Sequence, residues 1–175
     1  MEKYAYTMQP VVVTDGQRNW TARETFNYEY FKGIYSPGSE ALKTVNERCQ
    51  FFQYNTNMSS MEEFFNISQN RLEGNEDHWY IGWSNCGGKS GNMLRGHYKL
   101  PYFLPVELDH SMRDWIFMGL PGPGAPMHVD FVHASSWQAQ LSGYKKWTLS
   151  TPPECFGTCT RHIEFVVGPG EISNV

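Results

Sequence analysis

The pattern of apolar and polar residues predicts helices early in the chain and strands later. Apolar or alternating runs indicate strands at positions 11–13, 51–54, 77–83 and 115–119. From position 110 onward the pattern is one of short strands separated by glycine and proline turns. That order suits a jelly roll, also called a double-stranded β-helix, with helices on its outside. The sequence therefore predicts a mainly β fold with flanking α-helices.

Capping signals predict where the early helices begin. Thr21 can accept a hydrogen bond from the open N–H groups of a helix that continues to Phe31. Two serines start a second capped helix over 59–65. The stretch 84–96 is rich in Gly, Asn and Ser, so we predict a loop there.

Length and composition narrow the class of protein. A chain of 175 residues has the length of one domain, and we expect a single domain over 1–175. A hydrophobic fraction of 40% is too high for a disordered protein. The net charge of −4 comes without a dense basic patch, which argues against a nucleic-acid partner. No run of 18 apolar residues occurs, so no membrane-spanning helix is predicted.

Cysteines and glycosylation sequons leave the compartment open. The four cysteines are Cys49, Cys86, Cys155 and Cys159. They could form two disulfides or remain buried thiols. Asn-x-Ser/Thr sequons begin at Asn19, Asn57 and Asn66, and with an even cysteine count they favour the secretory pathway. The first residues carry no apolar signal region, which favours an intracellular protein.

The segment His128-Val129-Asp130 carries the clearest chemistry in the chain. On an extended segment side chains repeat every two residues, so His128 and Asp130 would lie on one face. An imidazole beside a carboxylate is two thirds of the 2-His-1-carboxylate set that holds non-haem Fe(II). The sequence thus predicts His128 and Asp130 as metal ligands and as the catalytic centre.

This region resembles the jumonji C (JmjC) family of Fe(II)- and 2-oxoglutarate-dependent oxygenases, which share a cupin-like jelly roll. The matching downstream segments are the strand 137–141, Gly143-Tyr144-Lys145-Lys146-Trp147 and Thr151-Pro152-Pro153-Glu154. Upstream, 9–13 with Trp20 and the segment 79–83 are similar to the family's first strand and to a strand facing the co-substrate pocket. The resemblance covers about 5–175 and implies iron and 2-oxoglutarate as cofactor and co-substrate.

The resemblance also implies which residues bind 2-oxoglutarate. In relatives a lysine at the position of Lys145 pairs with the distal carboxylate of 2-oxoglutarate. A partly buried carboxylate needs such a cation. Lys145 and Lys146 alternate faces of the strand, and we expect Lys145 to point inward. Tyr80 is either a hydroxyl donor to the same carboxylate or a core tyrosine, and Gln138 stands where relatives carry an amide near the pocket.

Four other residues have a weaker connection to a metal. His133 is offset by three from Asp130 and is expected at the surface or at a pocket rim. Cys155 and Cys159 could bind metal with His162, but zinc sites use a two-residue spacing more often. A local disulfide or two unrelated thiols is the favoured interpretation.

The match departs from the family at the third iron ligand. JmjC domains place a distal histidine after a Pro-Gly-(Asp/Glu) strand. Here Pro169-Gly170-Glu171-Ile172 is present and the sequence reaches only Val175. We therefore expect a fragment that stops before the distal histidine and lacks the last strand of the roll. The alternative is a shortened relative that binds iron weakly or not at all.

Three functions follow from these observations. The first is an Fe(II)/2-oxoglutarate oxygenase that hydroxylates a protein side chain, so a protein or peptide substrate is the expected partner. The second is a non-catalytic JmjC-like binding scaffold with an incomplete iron triad. The third is a histone or protein lysine demethylase. A cupin-type small-molecule binder would share the fold without needing Lys145.

Overall fold

A computed structural model describes residues 9–105, 114–130 and 136–174 of the chain. Its strands are β1 (Val11–Val13), β2 (Phe51–Tyr54), β3 (Tyr80–Ser84), β4 (Trp115–Gly119), β5 (Trp137–Ala139), β6 (Lys145–Ser150), β7 (His162–Val167) and β8 (Ile172–Asn174). Its α-helices are α1 (Ala22–Thr25), α2 (Tyr28–Ile34), α3 (Glu40–Arg48), α4 (Met61–Phe65), α5 (Gln69–Leu72) and α6 (Gly88–Arg95). A 3-10 helix covers Pro153–Cys155.

The described residues fall into two compact units whose segments alternate along the sequence. Unit 1 takes Met1–Glu24, Leu100–Pro105 and Val132–Val175, and unit 2 takes Thr25–Lys99 and Val106–Phe131. The expectation of a single domain over 1–175 stays a prediction.

Unit 2 holds a three-stranded antiparallel sheet in the order β2-β3-β4. One face of this sheet carries Ile81 and Trp83, which are fully buried. Helices of the same unit supply most of the rest of this core, and Tyr35, Met58 and Trp79 come from segments between the elements. The buried apolar cluster comprises Tyr28, Phe31, Tyr35, Leu42, Val45, Met58, Met61, Phe64, Phe65, Trp79, Ile81, Trp83 and Leu94.

Unit 1 holds a three-stranded antiparallel sheet, β1-β8-β5, and the β6–β7 hairpin. Ile172 of β8 is buried beside Gly16, where an added Cβ would lie 2.7 Å from its Cδ1 atom. The ring of Phe103 packs against Trp137 with centroids 4.8 Å apart. Strands paired only in antiparallel fashion fit the predicted mainly β cupin-like class, while closure into a jelly roll and a missing last strand stay predictions.

Several predicted elements are confirmed and two are wrong. The strands at 11–13, 51–54 and 115–119 form as predicted. The helix predicted from Thr21 to Phe31 is instead two helices, because Asn27 adopts an extended conformation and its side chain accepts the Tyr30 N–H. The loop predicted at 84–96 contains α6, whose Leu94 is fully buried.

The cysteines pair as Cys49–Cys86 and Cys155–Cys159. Within the described ranges, no helix combines the length and the apolar character needed to cross a membrane.

Candidate metal and co-substrate site

His128 and Asp130 lie in unit 2, in the segment that follows β4. His128 Nε2 is 3.2 Å from Asp130 Oδ1, and their side chains are 45% and 58% exposed. Residues 127–130 are not part of a strand in the structure. The preceding prolines at 121, 123 and 126 lack the N–H group that a ladder needs. The two side chains nevertheless meet, with both donor atoms accessible.

A backbone contact fixes the orientation of the His128 ring. Its Nδ1 atom is 2.6 Å from the carbonyl oxygen of Pro126. A carbonyl only accepts, so Nδ1 donates to it. Nε2 is then the ring nitrogen that faces Asp130 Oδ1 at 3.2 Å, and a metal ion between the two side chains could be held by both. Such a backbone bond to the far ring nitrogen is the usual support of a metal-binding histidine.

Tyr54 connects His128 to the sheet of unit 2. The Tyr54 ring stacks on the His128 imidazole with centroids 6.3 Å apart and an interplanar angle of 22°. Tyr54 pairs with Tyr80 in the β2–β3 register, and their rings are 5.9 Å apart. An aromatic face therefore runs from the sheet to the candidate ligand pair.

Tyr80 lies on this aromatic face and is half-buried. Its partner in β4 is Gly119, where an added Cβ would come within 2.4 Å of Tyr80 Cδ2. Glycine at this position thus leaves room for the ring. Burial, and then the neighbouring Tyr54, raise the pKa of Tyr80 to about 12. Like other tyrosine hydroxyls, that of Tyr80 is protonated at neutral pH and can donate a hydrogen bond.

A hydrogen bond from the residue after β2 contacts the loop 120–126, which leads to His128. Asn55 follows β2 with a positive φ of 53°, and its Nδ2 donates to the carbonyl oxygen of Gly124 at 2.8 Å. Together with the stacking of Tyr54, this bond connects the end of β2 to the loop. Sequence reasoning did not identify Tyr54 or Asn55. The strand pattern at 51–54 predicts Tyr54 at a strand end, but nothing in the sequence pairs that strand end with Tyr80 or with the loop before His128.

Lys145 and Lys146 begin β6 in unit 1, and their surroundings differ. Lys145 is half-buried, and its Nζ lies 4.5 Å from the centre of the Trp147 ring, an arrangement of the cation–π type. In the β6–β7 register this face of the hairpin also carries Phe165 and Val167. Lys146 is exposed, and its Nζ is 2.8 Å from Glu164 Oε2.

Gln138 lies in β5, directly opposite Ser173 of β8. The Gln138 Oε1 atom is buried and has no hydrogen-bond partner in the part of the chain that the structure describes, and the same is true of Ser173 Oγ. Buried polar atoms without partners are uncommon in native proteins, and here they occur on two residues that face each other in the ladder. This face of the unit 1 sheet therefore carries polar atoms that lack hydrogen-bond partners among the described residues.

The predicted site residues therefore fall into two groups. His128, Asp130 and Tyr80 belong to unit 2, and Lys145 and Gln138 belong to unit 1. His133 lies outside the described residues. Cys155 and Cys159 form a disulfide, so their thiolates do not join His162 in a metal site. His162 Nε2 is instead 3.4 Å from Glu164 Oε1.

Across the described ranges, no group of three or more His, Cys, Asp or Glu side chains is placed to hold a metal ion. His128 and Asp130 supply one nitrogen and one carboxylate donor, the ligand types that suit Fe(II). The pair thus fits the partial ligand set that the sequence predicts.

Comparison with known proteins identifies a family and several relatives. The profile of the family described as "Cupin-like domain" matches residues 1–171. A bifunctional arginine demethylase and lysyl-hydroxylase of Caenorhabditis briggsae is 23% identical over 150 residues, which cover 82% of this chain and 36% of the relative. An arginine-specific demethylase of Arabidopsis thaliana is 26% identical over 189 residues, covering 87% and 39%.

A 2-oxoglutarate and iron-dependent oxygenase of Mus musculus is 22% identical over 155 residues, covering 79% of this chain and 35% of the relative. The chain spans less than two fifths of the length of each of these three relatives. The profile match covers nearly the whole sequence. The chain therefore belongs to the family of JmjC-like cupin domains.

Proposed function

We propose that this chain is the Fe(II)- and 2-oxoglutarate-binding domain of an oxygenase that hydroxylates a protein side chain. The observation that carries the proposal is the pair of His128 and Asp130, 3.2 Å apart, with the far ring nitrogen of His128 bonded to a backbone carbonyl. Membership of the JmjC-like cupin family and relatives named as oxygenases, hydroxylases and demethylases support it.

His128 Nε2 and the Asp130 carboxylate would hold the iron. When bound, Fe(II) supplies a redox centre at which 2-oxoglutarate and O2 are converted to succinate and CO2 while one oxygen atom enters a C–H bond of the substrate. The residues of this chain would bind the iron and orient the groups that hold it. The Pro126 carbonyl accepts from Nδ1, so Nε2 would be the ring nitrogen that binds the iron, and the Tyr54 ring would limit how far the imidazole can turn.

Lys145 would pair with the distal carboxylate of 2-oxoglutarate. It is half-buried on the hairpin face that carries Trp147 and Phe165, and its Nζ lies 4.5 Å from the centre of the Trp147 ring. A dicarboxylate that reaches this face would meet the ammonium group. Tyr80, as a protonated hydroxyl, and Gln138, as an amide, would donate hydrogen bonds to the same co-substrate.

A protein substrate is supported by the names of the relatives, one of which acts as an arginine demethylase and lysyl-hydroxylase. Demethylation of a lysine or arginine side chain is the close variant of the same chemistry, because hydroxylation of an N-methyl group is followed by its loss. Candidate substrates are therefore peptides that carry lysine, arginine or their methylated forms.

The test measures binding of Mn(II), as a paramagnetic substitute for Fe(II), and of 2-oxoglutarate. His128→Ala and Asp130→Ala should each abolish the Mn(II)-dependent broadening of NMR signals from the loop 120–130. His162→Ala is the matched control, since it removes the other histidine that lies beside a carboxylate. Equal losses in His128→Ala and His162→Ala would contradict the proposal.

The binding-scaffold alternative is favoured by one observation, the two-ligand set in the described residues. Succinate formation separates it from an oxygenase. It should be measured with the 175-residue chain and with a form extended past Val175 by an aromatic–histidine segment that supplies a third ligand. Metal and 2-oxoglutarate binding without succinate in either form would make the scaffold the better description.

A further inference from the structure

A polar cleft in unit 2 is not used by the proposed oxygenase site. It has a volume of about 410 Å³ and is lined by Asn55, Thr56, Asn57, Arg71, Asp77 and His78. These six residues define what we call the Arg71 cleft. Its volume falls within the usual range for ligand sites, about 300–1,000 Å³. Its walls are polar side chains, so the ligand must bring hydrogen-bonding groups.

Arg71 is held in the cleft by neutral partners. Its Nη2 atom donates to Thr56 Oγ1 at 3.2 Å and to Asn57 Oδ1 at 3.0 Å. Its Nε atom is buried and without a hydrogen-bond partner in the described chain. No ion pair to Arg71 is formed within the described residues. The guanidinium is thus positioned, and its charge is not neutralised by a described carboxylate.

His78 is the second side chain with unused donors. Both of its ring nitrogens are buried and unpartnered in the described part of the protein. An imidazole always carries at least one N–H, so His78 lacks an acceptor. Arg71 and His78 together need two acceptor oxygens, which a single carboxylate carries. Because the ring nitrogens lie below the surface, binding should turn the His78 ring.

The Arg71 cleft adjoins the segment that carries the candidate iron ligands. Asn55, at its edge, donates to Gly124 of the loop, and the preceding Tyr54 stacks on His128. On the other side, a Cβ added to Gly122 would lie 3.1 Å from His78 Nε2. A peptide with one residue in the cleft would therefore run beside the loop 120–126 that leads to His128.

We infer that the Arg71 cleft binds the carboxylate of an acidic residue in a peptide, which positions a neighbouring residue near His128. That this peptide is a substrate rests on the proposed oxygenase function, whereas the binding itself does not. Asp77, exposed and without an ion partner in the described chain, is the one carboxylate lining the cleft. It should weaken the binding of an acidic ligand by repulsion and so limit affinity.

The experiment measures binding of a fluorescein-labelled peptide, Ala-Glu-Glu-Lys-Glu-Ala, against the same peptide with glutamine in place of glutamate. It is done without metal, so that a failure of iron binding does not affect it. The glutamate peptide should bind at least about tenfold more tightly than the glutamine peptide. Arg71→Gln should remove that preference, Asp77→Asn should strengthen binding of the glutamate peptide, and Arg48→Gln, an exposed arginine of the same unit, should change nothing.

Three results would overturn the inference. Equal binding of both peptides would exclude carboxylate recognition. Equal effects of Arg71→Gln and Arg48→Gln would assign the preference to general charge. Displacement of the peptide by 2-oxoglutarate or glutarate, with the same dependence on Arg71, would reassign the cleft to a small dicarboxylate. Asp77→Asn keeps the test valid if Arg71→Gln fails to fold, since Asp77 makes no described contact that supports the fold.

Discussion

Lys145 and Lys146 are neighbours in β6, yet their side chains meet different surroundings. Lys145 shares a half-buried face with Trp147, while Lys146 pairs with Glu164 on the exposed face. The strand alternation read from the sequence predicted this difference in direction, and the role of Lys145 in binding stays a prediction.

Lys145→Ala should raise the concentration of 2-oxoglutarate required for half-saturation by at least about tenfold, equal to about 1.4 kcal/mol. The reason is that a partly buried carboxylate loses its cation. Lys146→Ala is the matched control and should change the requirement little, because it loses only an exposed ion pair. The measurement is 2-oxoglutarate binding by calorimetry. A larger effect of Lys146→Ala would show that the inward and outward roles are exchanged.

Tyr35 links a single buried hydroxyl to the pH dependence of stability. It is 2% exposed, and burial raises its pKa to about 12. The ordinary pKa of tyrosine, about 10, applies to the unfolded chain. The unfolded state therefore loses its proton first as the pH rises. The stabilising contribution of the neutral hydroxyl is complete below pH 10 or so and is lost as the pH approaches about 12.

Tyr35→Phe should reduce the alkaline loss of stability between these two pH values by up to about 3 kcal/mol. At neutral pH it should cost roughly 1–3 kcal/mol, because Trp83 Nε1 loses the hydroxyl that accepts its hydrogen bond. Urea unfolding at several pH values measures both effects. Tyr144→Phe, at an 80% exposed ring, is the control. An unchanged alkaline slope in Tyr35→Phe would contradict the assignment.

At the scale of elements, sequence patterns predicted helices and strands correctly where local conformational preference and tertiary packing agree. The strand at 115–119 and the capped helix at 59–65 were predictable, because apolar runs and serine caps are local signals. Helix α6 was not, since it contains two glycines whose intrinsic preference opposes a helix. Packing overrides that preference: Leu94 is fully buried, and a Cβ on Gly91 would lie 2.9 Å from Asn85 Oδ1.

The candidate site, too, was predictable only where its signal is local in the sequence. The His-x-Asp motif predicted that the side chains of His128 and Asp130 lie close together, because residues two apart can share a side; their role as metal ligands stays a prediction. The stacking of Tyr54 on His128 and the Pro126 carbonyl contact depend on cross-strand register and on the path of a loop. Neither has a signal in a single sequence. The Arg71 cleft likewise combines residues from 55–57 with residues from 71–78, which only the fold brings together.

The Cys49–Cys86 disulfide joins the residue after α3 to the loop after β3, across a sequence separation of 37. Closing a loop of this length restricts the unfolded chain, so replacing both cysteines with serine should lower the free energy of unfolding by about 2–4 kcal/mol. Replacing Cys155 and Cys159 should cost less, because that pair closes a separation of only 4. Urea unfolding of the two double variants makes the comparison. Equal losses would contradict the dependence on loop length.

At the scale of the whole molecule, the two units are interleaved along the chain. Unit 1 pairs β1, near the start of the sequence, with β8, near its end, while most of unit 2 lies between them in sequence. The chain passes from one unit to the other several times. A unit built from distant segments can form only after the intervening chain has been ordered, since otherwise closing the large loop costs entropy without compensation.

We therefore predict that the chain unfolds as one cooperative domain, in agreement with its single-domain length. Hydrogen exchange at increasing urea concentrations, read by mass spectrometry, should give one midpoint for peptides from β1, β5 and β8 and for peptides from β2, β3 and β4. Val12→Pro provides a sharper test. It should destabilise the β1–β8 pairing in unit 1 and lower the midpoint of both groups of peptides together, because β1 would no longer pair with β8. A lower midpoint confined to the peptides of unit 1 would mean that the two units unfold separately, and the chain would then be better described as two domains.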